Sequence, residues 1–312
     1  MTTNGIVVGV DGSAESLAAV RWAGRYAGEI GAPLQVIHAA ASPETVSMML
    51  PVPVGISTAG LRRGGPTAPD VVRTAGDEAS RSNPPPEISS LTVPAEPVSA
   101  LVEASSGAGL VVLGASHRRR FAATLSGSVS GRVVAAAHCP VVVVREDVDP
   151  SGPVVVAVDS EGTSEAAVRF AFAEAARRGC ALHAVHAWQV PSMPSGTGST
   201  AVMTNTRYLP DAALRALSAA VAPGRAAFPG VEVHERLLTG SPQQVVPGET
   251  DGAALVVVGS RGRAPLTGLL LGSTSQELLH RSSTPVAVVR APEEGAGLPA
   301  DASLGSADDR GL

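Results

Sequence analysis

Two glycine-flanked turns carry most of the chemistry this chain offers. Val256-Val257-Val258-Gly259-Ser260-Arg261-Gly262 is followed, nine residues on, by Gly272-Ser273. An apolar run that stops at glycine reads as a buried strand ending where the backbone must turn or approach something closely. Ser273, Thr274 and Ser275 are good N-cap residues and Gln276-Glu277-Leu278-Leu279 carries a helical pattern, so the second turn opens a helix. Free N–H groups at a helix start, beside residues with no Cβ, form an anion cradle whose natural occupant bears phosphate. Arg261 and Arg263 either add positive charge there or make a solvated loop face.

Other chemistries are poorly supplied. All 23 basic residues are arginine, which excludes a P-loop lysine and any Schiff-base mechanism. A net charge of -5, with four Phe, two Tyr and two Trp, argues against nucleic-acid binding. Cys139 and Cys180 are too few and too far apart for a metal or disulfide framework and read as buried, reduced thiols. His183 and His186, three apart on a strand, point to opposite faces and share no metal. Gly196 to Ala201 fits a dinucleotide fingerprint but lies in a long loop and is read as chance. The amino terminus enters a strand pattern directly and no apolar run approaches the roughly 20 residues that span a bilayer, so the expected location is the cytoplasm without membrane contact.

The elements that position the turns repeat along the chain. Ile6 to Asp11 reads as a strand, Ser16 to Ile30 as a helix ended by Gly31, and Leu34 to Ala39 as the next strand. A Pro-, Gly- and Ser-rich loop then runs from Ala40 to about Pro69. A helix over Asp70 to Ser82, a strand over Ile88 to Val93, a helix from Pro97 and a strand over Leu110 to Gly114 complete the pattern. Adding 148 carries Val7 through Ala39 onto Val155 through Ala187 without a gap, and adding 145 carries Val111 through Arg145 onto Val256 through Arg290. The chain is therefore a tandem duplication, with domains expected over 1–147 and 152–291 and a disordered tail over 292–312. Alternating strands and helices give an α/β fold of two doubly wound parallel sheets, with ligands at the carboxyl ends of the strands.

The segments Val8-Gly9-Val10-Asp11-Gly12-Ser13 and Val36-Ile37-His38-Ala39, the Gly259-x-x-Gly262-(nine)-Gly272-Ser273 motif and the closing Pro285 to Val289 resemble the universal stress protein family in its tandem form. The resemblance implies a Rossmann-like, adenine nucleotide alpha-hydrolase-like fold arranged as a pseudo-two-fold repeat. It implies ATP, with Mg, as cofactor. The implied site in the second half is Ala157, Val158 and Asp159, then Ala187, whose backbone contacts adenine, then Val258, Gly259, Arg261, Gly262, Arg263, Gly272, Ser273 and Thr274. Asp159 would orient a ribose hydroxyl or Mg; its plainer alternative is a helix N-cap.

The equivalent first-half residues are Gly9, Val10, Asp11, Ala39, Gly114, Gly127 and Ser128. There His117 replaces the glycine found at 262, which would strain a positive φ and crowd the phosphate path. Arg118, Arg119 and Arg120 would still attract an anion, but the steric loss weighs more, and weaker or absent ATP binding is expected in this half. His38 and His186 sit at equivalent strand ends and read as structural.

Unpaired sheet edges need covering, and the family resemblance implies that the last strands of the two halves pair within the chain, with homodimerisation left open. The expected function is an ATP-binding stress or signalling module that acts through an unidentified protein partner without efficient catalysis. A slow ATPase or autophosphorylating enzyme and a nucleotide-free scaffold are the alternatives.

Overall fold

A computed structural model describes residues 4–40, 66–115, 128–145, 151–159, 164–189, 192–194, 200–202, 209–260 and 271–290. In the first half β1 (Ile6–Gly9), α1 (Ala14–Ile30) and β2 (Leu34–Ala39) precede α2 (Ala68–Ala79), β3 (Ile88–Val93), α3 (Pro97–Ser105), β4 (Leu110–Gly114), α4 (Val129–Ala136) and β5 (Val141–Val144). The second half repeats the order with β6 (Val154–Ala157), α5 (Glu165–Arg178) and β7 (Leu182–Trp188), a short ribbon β8 (Ser192–Pro194) and β9 (Thr200–Val202), then α6 (Leu209–Ala227) and β10 (Val233–Thr239). It closes with α7 (Pro242–Val245), which runs into a 3₁₀ turn over Val246–Glu249, then β11 (Leu255–Gly259), α8 (Ser273–Arg281) and β12 (Val286–Val289).

Local chemistry explains where several elements begin. The helix expected from Asp70 starts at Ala68, because Thr67 and Asp70 form a reciprocal capping box. The Ser13 side chain accepts the Ser16 N–H at 3.1 Å and starts α1 two residues earlier than the apolar spacing indicates. Gly31 and Gly179 end the equivalent helices α1 and α5 with φ near 65°, a conformation cheap only for glycine. The long loop of the second half holds the β8–β9 ribbon, a regular element that hydrophobic periodicity did not signal.

Ten strands form one sheet, ordered β3-β2-β1-β4-β5-β12-β11-β6-β7-β10. Every neighbour within a half is parallel. The halves meet where β12 pairs antiparallel with β5, Val286 opposite Val143 and Val288 opposite Val141. Val142 and Val144 of β5 face one buried cluster while Val141 and Val143 face the other, as the period of two requires. The first cluster takes α1, α2, α5 and α6, the second takes α3, α4 and α8, and each runs through both halves. The valine-rich strands are thus covered on both faces.

The two thiols differ. Cys139 is buried, and burial pushes its pKa up to about 12. Cys180 is only half-buried, which corrects the expectation of two buried thiols; it follows the Gly179 turn at the helix end, where a side chain stays near solvent. A thiol reagent added to the native protein is expected to modify Cys180 and to leave Cys139 intact until denaturant is added. Mass mapping of the labelled peptides checks this, and rapid native labelling of Cys139 would contradict it.

Candidate functional site

Three parallel strands of the second half, β7, β6 and β11, end side by side, and their carboxyl ends form the floor of a cleft of about 250 Å³. This is where the chain reverses its direction of winding, the position at which such sheets hold ligands. β6 contributes Ala157 and leads into Val158 and Asp159, β7 contributes Val185 to Ala187, and β11 contributes Val258 and Gly259. The start of α8 closes one side with Gly272, Ser273 and Thr274, and Pro242 and Val246 close another.

Nine residues expected from sequence thus meet in one place: Ala157, Val158, Asp159, Ala187, Val258, Gly259, Gly272, Ser273 and Thr274. Arg261, Gly262 and Arg263 lie outside the described residues, as do Gly127, His117 and Arg118 to Arg120 of the first half. Gln189, Pro242, Val246 and Ser164 also line the cleft and were not anticipated. A signal existed for two of them: adding 145 to Pro97 and Leu101 gives Pro242 and Val246, so the first-half helix from Pro97 marks the same wall.

Helix α8 departs from the expected capping. Gly272, not a serine, is its N-cap, Ser273 is its first helical residue, and the N-cap position supplies no side-chain hydrogen bond. Among the described residues its leading N–H groups meet no side-chain cap, which leaves them for water or a ligand. The equivalent α4 is closed: Ser128 caps it and accepts the Gly131 N–H at 3.0 Å, and the Ser130 hydroxyl donates to the Gly114 carbonyl at 2.9 Å.

Asp159 is not a helix cap. Its backbone N–H donates to the Ser164 hydroxyl at 2.8 Å, and Ser164 is the residue before α5. Asp11, its counterpart, accepts the Ser13 N–H at 2.9 Å in a local turn, and the hydrogen bonds from Ser13 and Ser16 outweigh burial and hold its pKa below the usual carboxylate value. The histidines match each other: Nδ1–H of His38 donates to the Val10 carbonyl and that of His186 to the Val158 carbonyl, both at 2.8 Å. A carbonyl only accepts, so the bond fixes the tautomer and ties each second strand to its neighbour.

The remaining first-half residues occupy a tighter setting. Leucine methyls of Leu113 and Leu101 lie 2.8 and 3.1 Å from where a Cβ on Gly9 would stand. A Cβ on Gly114 would fall 2.5 Å from the Glu15 backbone, so the first turn of α1 lies against the strand end. Val10 borders a separate hollow of about 90 Å³ beside α2, and Ala39 ends β2.

His183 packs edge-on to His234 of β10 at 5.2 Å, away from the Val158 contact of His186. Among the described residues no group of three or more His, Cys, Asp or Glu is placed to hold a metal ion, and no helix is long and apolar enough to cross a membrane.

The family pattern described as "Universal stress protein family" matches residues 3–145 and again 151–290. Two universal stress proteins of Mycobacterium tuberculosis are similar along nearly their whole length. One is 37% identical over 295 residues, covering 92% of this chain and 97% of its own. The other is 35% identical over 292 residues, covering 92% and 96%. The crystal structure of a universal stress protein from Archaeoglobus fulgidus superposes with a TM-score of 0.62 at 19% identity, covering 93% of this chain and 97% of that one, and so shares the fold. Two gapless repeats, two family matches and end-to-end relatives agree: the chain belongs to the universal stress protein family, with its domain present twice.

Proposed function

We propose that the second half binds ATP in the cleft above β6, β7 and β11 and that the chain works as a nucleotide-dependent module. The observation that carries this reading is the uncapped start of α8, which opens on the cleft while its capped twin α4 is closed by Ser128. Uncapped N–H groups, with the Ser273 and Thr274 hydroxyls beside them, suit phosphate oxygens. Val185, Val246 and Pro242 give an apolar slot for a base, with the Ala187 backbone at its edge. Asp159 suits a ribose hydroxyl or a magnesium ion arriving with the phosphates, since magnesium keeps most of its shell from water and phosphate.

The reading is binding without efficient turnover. Asp159 is the one carboxylate among the described residues lining the cleft, and His186 commits Nδ1 to the Val158 carbonyl. Calorimetric titration with Mg-ATP is expected to give one site per chain, with no multiple-turnover phosphate release. Two sites would show that the first half binds despite Leu101 and Leu113, and no binding at all would favour a nucleotide-free scaffold.

A further inference from the structure

The halves exchange an arginine across the β5–β12 junction. Arg145 follows β5 and donates from Nη2 to the carbonyl of Leu279, in the last turn of α8. Arg290 follows β12 and returns the contact, donating from Nη1 to the carbonyls of Ala135 and Ala137, 2.8 and 3.1 Å away at the end of α4. The last carbonyls of a helix have no partner within it. In α8 the Leu278 carbonyl takes the Ser282 N–H at 2.9 Å, and the Leu279 carbonyl is met from the other half of the chain.

Arg145 is 8% exposed, an unusual degree of burial for a guanidinium whose bond is to a carbonyl. A cation at a helix C-terminus and an anion at its N-terminus favour the same dipole. Position matters more. Leu278 and Leu279 sit in the buried cluster with Val141 and Val143 of β5, so the last turn of α8 rests on the inter-half junction. The opposite end of this nine-residue helix, roughly 13 Å away, lines the cleft. A short rigid helix fixed at one end has its N–H donors aimed at the other.

We infer that Arg145 of the first half is a positioning residue for the anion-binding end of α8 in the second half. The inference rests on the nucleotide reading of the cleft, and the molecule supplies its own control. Arg290 does the same structural work on α4, but the start of α4 is already capped by Ser128. The two arginines share a structural role and differ in what their helices face.

Arg145→Met and Arg290→Met in the full chain separate the two roles. Both are expected to lower the unfolding temperature of the free protein by similar amounts. Arg145→Met alone is expected to weaken Mg-ATP binding, about fivefold or more, and to speed amide exchange in the first turn of α8. Arg145→Lys, which still offers a cation to a single carbonyl, is expected to recover part of the affinity and keeps the test open if the methionine variant folds poorly. Equal ATP affinity in Arg145→Met and the parent, or an equal loss in both methionine variants, overturns the inference. Should the parent bind no ATP, the nucleotide reading falls by itself and exchange at α8 decides: rates unchanged relative to Arg290→Met overturn the role of Arg145, and faster rates support it.

Discussion

Glu174→Ala is expected to lower the unfolding free energy by about 3–5 kcal/mol, the usual loss when one member of a buried charged network is removed. Glu174 is 3% exposed and lies between the halves. It accepts the Tyr26 hydroxyl at 2.7 Å, the Arg177 Nη2 at 2.9 Å and the Arg178 Nε at 3.2 Å. Arg177 also pairs with Glu29 of the first half and lies 4.6 Å above the Tyr26 ring, which stacks on Trp22. Alanine at 174 leaves two largely buried guanidinium groups and a buried hydroxyl facing one another. Tyr26→Phe removes a single hydrogen bond to a charged group and is expected to cost less, about 1.5–3 kcal/mol.

Denaturant midpoints at constant slope measure both losses. A loss below about 1 kcal/mol for Glu174→Ala would mean that the network behaves as an exposed salt bridge. The same cluster sets a pH dependence. Burial, then the charge and hydrogen bond of Glu174, raise the pKa of Tyr26 above its ordinary value near 10. A raised folded pKa means the contribution is whole below about pH 10 and declines above it, where the unfolded tyrosine ionises and the folded one does not. Glu174→Gln is expected to bring the ultraviolet titration of Tyr26 to lower pH.

This contact shows what the sequence left unread. Tyr26 and Glu174 occupy equivalent places in the repeat, since 26 plus 148 is 174, yet a tyrosine and a glutamate on a helix look like ordinary surface residues. Only the side-chain contacts between α1 and α5 across the junction bring them together. The β5–β12 pairing was legible through the family resemblance, which named the partner that an unpaired valine-rich edge requires. Asp159, Gly259 and Ser273 were legible from the residues, at or just past a strand end or after a glycine turn, whereas Ala187, inside β7, came only from the family resemblance. Val246 went unread: it lies in a 3₁₀ turn with no periodicity of its own, and its repeat relation to Leu101 was the one signal that marked it. The asymmetry of the halves was read from His117, but the described residues place further differences elsewhere, in the Ser128 cap and in two leucines.

Those leucines define a transplant that is expected to abolish nucleotide binding while leaving the fold intact. In the first half Gly9, Leu101 and Leu113 close on one another, and the second half has Ala157, Val246 and Val258 at the equivalent positions. All three second-half residues line the cleft. Val246→Leu with Val258→Leu inserts two methylenes against the Ala157 methyl. The contacts of 2.8 and 3.1 Å that a Cβ on Gly9 would meet show why the first half has no methyl there. The double variant is expected to lose about 1–3 kcal/mol of stability from overpacking. Adding Ala157→Gly reproduces a packing the chain already uses and is expected to recover most of it. In the triple variant the leucines occupy the slot that would take the base, and Mg-ATP affinity is expected to fall at least about 100-fold, close to 3 kcal/mol. A triple variant that is stable and still binds ATP at the parent affinity would place the base elsewhere in the cleft. Recovery of stability without recovery of binding would show that the same three positions decide, in each half, between a packed strand end and an open one.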